Sequence, residues 1–184
     1  MSQDRYADTG VGYYELGTHF IVQCPKCDGK AIVEKSTGNW KLKCTSCFHV
    51  AKEGNWYGAM TAYASVMCRE CHHPIQRSTP SNGIWKKIML RCDNCGDECE
   101  YEAHLSRHLI NEGLMCDTVF GLPLWLQKEF RDEVFWAFHY EHLSILEDFI
   151  KSKLRERGIS PRNTIRKNSS IISRLPVFIK KAGN

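Results

Sequence analysis

Alternating apolar and polar positions mark two short strands early in the chain. Lys30–Glu34 and Asn39–Lys43 read as strands joined around Ser36-Thr37-Gly38. A looser copy follows, with a turn at Pro80-Ser81-Asn82-Gly83 and a strand over Ile84–Leu90. Tyr101–Glu112 suits a short helix stopped by Gly113. Beyond Gly121, Leu122–Gln127 and Val134–His139 are aromatic-rich and strand-like, so they predict a hairpin around the charged turn Lys128–Glu133. From Glu141 to Arg157 the apolar residues Leu143, Leu146, Phe149, Ile150 and Leu154 fall on one helical face. Acidic residues open that helix and Lys151, Lys153, Arg155 and Arg157 close it, as the helix dipole favours. Gly158 and Pro161 are its expected stop. Ser160–Ser170 is polar, and Ile171–Ile179 is apolar enough to dock as a short helix or a partner-binding element.

Cysteine changes this picture most. Eight of the ten cysteines form four C-x2-C pairs: Cys24/Cys27, Cys44/Cys47, Cys68/Cys71 and Cys92/Cys95. The spacings are C-x2-C-x16-C-x2-C and C-x2-C-x20-C-x2-C, and the second set starts 44 residues after the first. Each pair sits on a turn-forming sequence; in Cys24-Pro25-Lys26-Cys27-Asp28-Gly29, proline restricts the start and glycine permits the return. A hairpin then brings two such turns together, and four sulfurs suit the closed tetrahedral site of structural Zn²⁺. Two Zn²⁺, one per four-cysteine set, are the expected cofactors. The duplication favours sequential pairing over a cross-braced set of 24/27/68/71.

The fold expected is a small α+β one: two tandem zinc ribbons followed by a β-hairpin and an α-helix. The segments are an N-terminal extension 1–19, ribbon 1 and linker 20–58, ribbon 2 over 59–100, an acidic helix, aromatic hairpin and amphipathic helix over 101–157, and a basic tail 158–184. The linker Glu53–Gly58 is glycine-aromatic, with Trp56 and Tyr57 expected to pack across both ribbons. A further metal site is conceivable from Cys99, His104, His108 and Cys116, since a helix would turn both histidines the same way. Two surface histidines and a core thiol are the plainer reading.

The ribbon pattern over residues 20–100 resembles rubredoxin-like and transcription-factor zinc ribbons. Gly121–Gln127, Phe135-Trp136, His142-Leu143, Lys153–Arg157 and Ser173–Pro176 combine with it to resemble a group of small bacterial double-zinc-ribbon proteins. The resemblance implies the eight ribbon cysteines as ligands and nothing more specific.

Composition narrows the function classes. The chain has 184 residues, 42% apolar and 25% charged, which suits a globular protein. No apolar run reaches the roughly 18 residues of a membrane span, and Met1–Tyr14 lacks the pattern of a secretion signal. The expected location is the cytoplasm, where thiols stay reduced. The net charge of +4 hides an asymmetry: residues 151–184 hold ten Lys/Arg against one Glu, and residues 100–150 hold three basic against ten acidic side chains. A uniformly basic nucleic-acid binder would not look like this.

Catalytic signatures are missing. His104-Leu105-Ser106-Arg107-His108 lacks the glutamate of a zinc-protease helix, Thr9-Gly10-Val11-Gly12 lacks the third glycine of a dinucleotide loop, and a closed four-thiolate site leaves no open position. His72-His73 decorates a knuckle. The expectation is a non-enzyme with neither a small-molecule substrate nor a membrane. Its favoured partner is a protein, in the manner of a bacterial immunity protein that neutralises a basic toxin, with Trp125, Glu129, Asp132, Glu133 and Trp136 as contacts. The alternative is nucleic acid, held by Lys26, Lys41 and Lys43 with Trp40 as a stacking surface, assisted by the basic tail.

Overall fold

A computed structural model describes residues 5–8, 10–81, 87–130, 132–152, 154–156, 170–172, 175 and 179. The chain is mostly β, with one long helix towards its C-terminus, and it divides into two compact units. Met1–Glu53 joins Leu124–Asn184 in the first, and Gly54–Pro123 forms the second. The first unit is therefore discontinuous in sequence, unlike the serial arrangement of segments that the cysteine repeat suggested.

The first unit is built on a four-stranded antiparallel sheet, in the order His19–Gln23, Lys30–Ser36, Asn39–Cys44, Val50–Lys52. The strands Lys30–Ser36 and Asn39–Cys44 meet at a two-residue turn in which Thr37 (φ 50) and Gly38 (φ 88) are both left-handed. Such a turn matches the twist of a hairpin and needs residues that tolerate positive φ. The register puts Phe20, Val22, Ala31, Val33, Leu42, Cys44 and Ala51 on one face, and all are buried. The other face carries Lys30, Glu34, Lys41, Lys43, Val50 and Lys52.

The C-terminal part of the chain completes this unit. Ile21 N–H donates to the Phe138 carbonyl at 2.7 Å, and Trp125 N–H donates to the Ile21 carbonyl at 2.8 Å. The hairpin Leu126–Phe130 with Glu133–Ala137 leads into the helix Tyr140–Lys151. Tyr13, in the short helix Tyr13–Leu16, stacks on Trp136 at 5.2 Å, and Phe138 and His142 pack edge-on or tilted against both. Aromatic pairs in this geometry add about 0.5–1.5 kcal/mol each beyond their burial. Strand Arg5–Ala7 runs parallel to Leu154–Glu156. Ile171 N–H donates to the Val11 carbonyl, and Ile171, Ile172, Leu175 and Ile179 are buried.

The second unit holds the three-stranded sheet His104–Arg107, Met60–Met67, Pro74–Ser81 and the two-stranded sheet Lys87–Arg91, Glu98–Glu102. One core cluster of this unit is Ala62, Ala64, Cys68, Ile75, Ile88, Leu90, Cys92 and Tyr101; Met60, Cys116, Phe120 and Leu122 are buried as well. Two alanines and two cysteines among the eight residues of that cluster leave it little apolar area, and a unit this small leans on other cross-links.

Several expectations are corrected. Tyr101–Glu112 is extended, because Glu98–Glu102 alternates with Cys99 and Tyr101 inward, and pairing with Lys87–Arg91 and Met60–Tyr63 outweighs helix propensity. Gly113 (φ 81) with Glu112 (φ 49) turns a small hairpin, Ile110–Asn111 to Leu114–Met115, instead of capping a helix. The long helix ends at Ser152, whose hydroxyl and N–H both bond to the Asp148 carbonyl, so Leu154 belongs to a strand. Its buried residues are His142, Leu146 and Phe149, while Ile150 is exposed. Trp56 and Tyr57 have their described ring contacts inside the second unit, with Arg107 and Phe120 respectively. Most of the basic tail 158–184 lies outside the described residues, and its described apolar positions at 171–179 are buried, as the docking alternative for that segment requires. No described helix is long and apolar enough to cross a membrane.

Candidate metal centres

Each four-cysteine set predicted from spacing is assembled, sequentially paired and one per unit. Cys24, Cys27, Cys44 and Cys47 have their sulfurs gathered at one point, as do Cys68, Cys71, Cys92 and Cys95. Sulfur–sulfur distances are 3.7 Å for Cys24–Cys47, 3.6 Å for Cys27–Cys44, and 3.6 Å for Cys68–Cys95 and Cys71–Cys92. A tetrahedron with Zn–S bonds of about 2.3 Å has edges of about 3.8 Å. The cages therefore fit a tetrahedral thiolate-bound ion.

All four knuckles share one backbone solution. The N–H of the first cysteine donates to the carbonyl five residues on, at 2.8 Å in each case: Cys24 to Gly29, Cys44 to His49, Cys68 to His73 and Cys92 to Asp97. This closure uses a left-handed residue four after the first cysteine. That residue is Asp28 (φ 56), Phe48 (φ 58), His72 (φ 57) and Gly96 (φ 79). Only one of the four is glycine, so three knuckles hold a side chain in a conformation that L-residues adopt at a cost of about 1–2 kcal/mol. Gly29 serves a different purpose from the chain return expected of it. A Cβ there would stand 2.8 Å from Ser46 Oγ and 3.3 Å from Cys27 Sγ, so its lack of a side chain makes room beside the cage.

Backbone N–H groups point at the sulfurs. Ser46 and Cys47 donate to Cys44 Sγ at 3.3 and 3.4 Å, and Lys26 to Cys24 Sγ at 3.4 Å. The Cys47 and Ser46 donors pull the Cys44 thiol down to about 6. The Asn94 side chain and the His73 N–H do the same for Cys71, also to about 6. Cys27 is pushed up to about 12: the Gly29 N–H favours its thiolate, but the surrounding thiols, Cys47 first, outweigh it. Without a cation the cage keeps protons on some sulfurs, because four adjacent thiolates repel; a divalent ion removes that repulsion.

The first cysteine of each pair is buried, whereas Cys27, Cys47 and Cys95 are exposed. The cages thus sit with one edge in the core and one edge open to solvent.

The conceivable site at Cys99, His104, His108 and Cys116 is not gathered. Cys99 Sγ bonds to Asp97 Oδ2 at 3.2 Å, His108 Nε2 to Thr61 Oγ1 at 2.7 Å, and Cys116 is buried against the Leu114 carbonyl. His104 is exposed on an edge strand. The helix that would have aligned the histidines does not form.

The remaining expected contacts are dispersed. Glu129, Asp132 and Glu133 are exposed near the hairpin tip with Phe130, and Trp125 is 43% exposed. Trp136 is half-buried in the aromatic cluster at the hairpin base. Lys41 and Lys43 share the outer sheet face with Lys30 and Lys52, and Lys26 is exposed on the first knuckle. Trp40 lies on the opposite face, 5.6 Å from Phe20, so it offers no stacking surface beside those lysines.

A third group of ligand-type atoms escaped sequence reading: His19, His139 and Glu141. Some 120 residues separate His19 from His139 and Glu141, and no spacing rule links them. No known protein family, curated protein or solved structure matches this chain.

Proposed function

We propose that this chain is a non-catalytic recognition protein in which each unit folds around one structural Zn²⁺ and a protein partner docks on the tip of the hairpin Leu126–Phe130/Glu133–Ala137. Zinc is the ion best suited to four thiolates in a closed tetrahedron at an ordinary redox poise. It supplies folding energy and no open coordination position, which suits a scaffold.

The observation that carries the partner reading is the construction of the hairpin. Its base is anchored through Trp136 and Ala137, the latter fully buried, while Glu129, Phe130, Asp132 and Glu133 are all exposed at the tip. An exposed aromatic paired across the hairpin with Glu133, with Glu129, Asp132 and one lysine, Lys128, nearby, on a stem packed into the aromatic cluster, is suited to a basic protein surface with an apolar notch. A basic toxin or enzyme neutralised by this chain is one partner of that kind.

The test is co-purification from the native host, comparing the natural chain with a variant carrying Glu129→Lys, Phe130→Ala and Glu133→Lys. The expected result is a stoichiometric, salt-sensitive complex that the variant loses while keeping two zinc ions per chain. A complex indifferent to these changes, or none, overturns the docking site. Iron in place of zinc would overturn the metal assignment alone.

A second reading is favoured by one further observation: Lys30, Lys41, Lys43 and Lys52 line one sheet face with Glu34 as the acidic residue among them. Such a face suits phosphates. Binding to labelled single-stranded DNA and RNA, weakening steeply with salt and lost in Lys41→Glu/Lys43→Glu, would promote it over the protein reading.

A further inference from the structure

We propose that His19, His139 and Glu141 form a third metal site, open and exchangeable, which takes a divalent transition-metal ion through two imidazoles and one carboxylate.

The case begins with tautomers. His139 is 3% exposed, and its Nε2 lies 2.9 Å from the Leu16 carbonyl. A carbonyl only accepts, so Nε2 carries the proton, and Nδ1 of the neutral ring is left with a lone pair. That Nδ1 lies 2.7 Å from Glu141 Oε2, with the His142 N–H more distant at 3.3 Å. A lone pair and a carboxylate oxygen at 2.7 Å repel unless both hold the same cation. The cation is either a second proton on His139 or a metal ion.

The surroundings favour the metal. His19 Nε2 is 3.7 Å from the same Glu141 oxygen, and its Nδ1 faces Thr18 Oγ1 at 3.3 Å. In the tautomer whose Nδ1 donates to the threonine hydroxyl, the His19 lone pair lies on Nε2, on the side of Glu141. Both imidazoles thus have the far nitrogen held by an oxygen and the near one turned to a shared carboxylate. This is the outer-shell arrangement that orients histidines towards a metal. One ligand atom from each residue lies within 4.8 Å of the others. The two rings are stacked 4.0 Å apart and nearly parallel, so uptake of an ion requires the partly exposed His19 ring to tilt towards Glu141. Glu141 also supplies the negative charge that offsets the positive N-terminal end of the helix Tyr140–Lys151.

Chemically the site differs from the cages. Imidazole and carboxylate suit zinc, copper, nickel or iron, and three protein ligands leave positions for water. An ion there would tie the strand His19–Gln23 to the start of the helix and would exchange without disturbing the two thiolate cages.

The experiment adds Co²⁺ to the full-length, zinc-loaded protein and follows the visible spectrum alongside metal content. The expected result is one cobalt per chain with the weak bands of a nitrogen–oxygen ligand set and no thiolate charge-transfer band. Affinity falls by at least about tenfold in both His19→Ala and Glu141→Gln. Both residues reach solvent, so the variants keep two zinc ions and an unchanged circular dichroism spectrum. Absence of the third ion, a thiolate spectrum, or binding unaffected by both substitutions would overturn the proposal and leave His139 simply hydrogen-bonded to Glu141.

Discussion

The Trp56 indole lies so close over Gly121 that a Cβ on the glycine would stand 2.6 Å from Cε2 and Cζ2. The same Cβ would meet Gly58 N at 2.8 Å, and Gly121 has φ +70. Steric room and backbone conformation thus both demand glycine. Gly121→Ala should cost the second unit about 3 kcal/mol or more, from overpacking and left-handed strain together. Gly113→Ala provides the contrast: φ is +81 but nothing lies within 4 Å. Only the conformational cost of about 1–2 kcal/mol remains there. Urea titration of both variants checks the ordering, and equal losses would contradict it.

Each cage serves its own unit. Cys44→Ser should reduce bound metal from two ions to one and collapse the dispersed backbone NMR signals of the sheet His19–Lys52, leaving signals from Met60–Arg107 in place. Cys92→Ser should do the reverse. Metal analysis and a heteronuclear correlation spectrum read both outcomes, and loss of both ions from either substitution would argue against independent sites.

Asp117 is fully buried and accepts three backbone N–H groups: Val119 at 2.8 Å, Phe120 at 2.7 Å and Leu122 at 2.8 Å. Burial pushes its carboxyl up from the ordinary value, and the three donors pull against that rise. Asp117→Ala leaves those donors without their acceptor and should cost about 3 kcal/mol or more. Asp117→Asn should also destabilise, since whichever way the amide points, an N–H faces an N–H. Thermal unfolding should show both losses.

His142 gives the first unit a pH dependence. Its Nδ1 accepts from Phe138 N–H at 3.1 Å, so the ring is needed neutral, and burial, with His139 nearby, lowers it to about 4. The folded value lies below the unfolded 6.5, so the unfolded state binds the proton first on acidification. This contribution to stability is complete above about pH 6.5, declines by up to about 1.4 kcal/mol per pH unit as pH falls, and is exhausted below about pH 4. His142→Phe should remove up to one proton from the pH slope of unfolding in that window, measured by urea titration at several pH values.

What the sequence disclosed follows from the range of the forces involved. The C-x2-C pairs are local, and four of them leave few ways to gather sulfurs, so the cages were legible. The Thr37-Gly38 turn was legible for the same reason. Tyr101–Glu112 was not, because its conformation depends on strands at 60–63 and 87–91 that local propensity does not register. The knuckle residues Asp28, Phe48 and His72 were hidden by the expectation that glycine takes positive φ. His19 and His139 meet only because Phe138 pairs with Ile21, a contact between distant parts of the chain.

That pairing also sets an order of events during synthesis. Residues 54–123 can leave the ribosome and close their own cage while the sheet His19–Lys52 still lacks its bonds from Ile21 to Trp125 and Phe138. At about 5–20 residues per second the wait lasts on the order of ten seconds. For that interval the nascent sheet, even with its cage closed, keeps an unpaired edge at Ile21, so its solubility depends on how quickly translation reaches the hairpin.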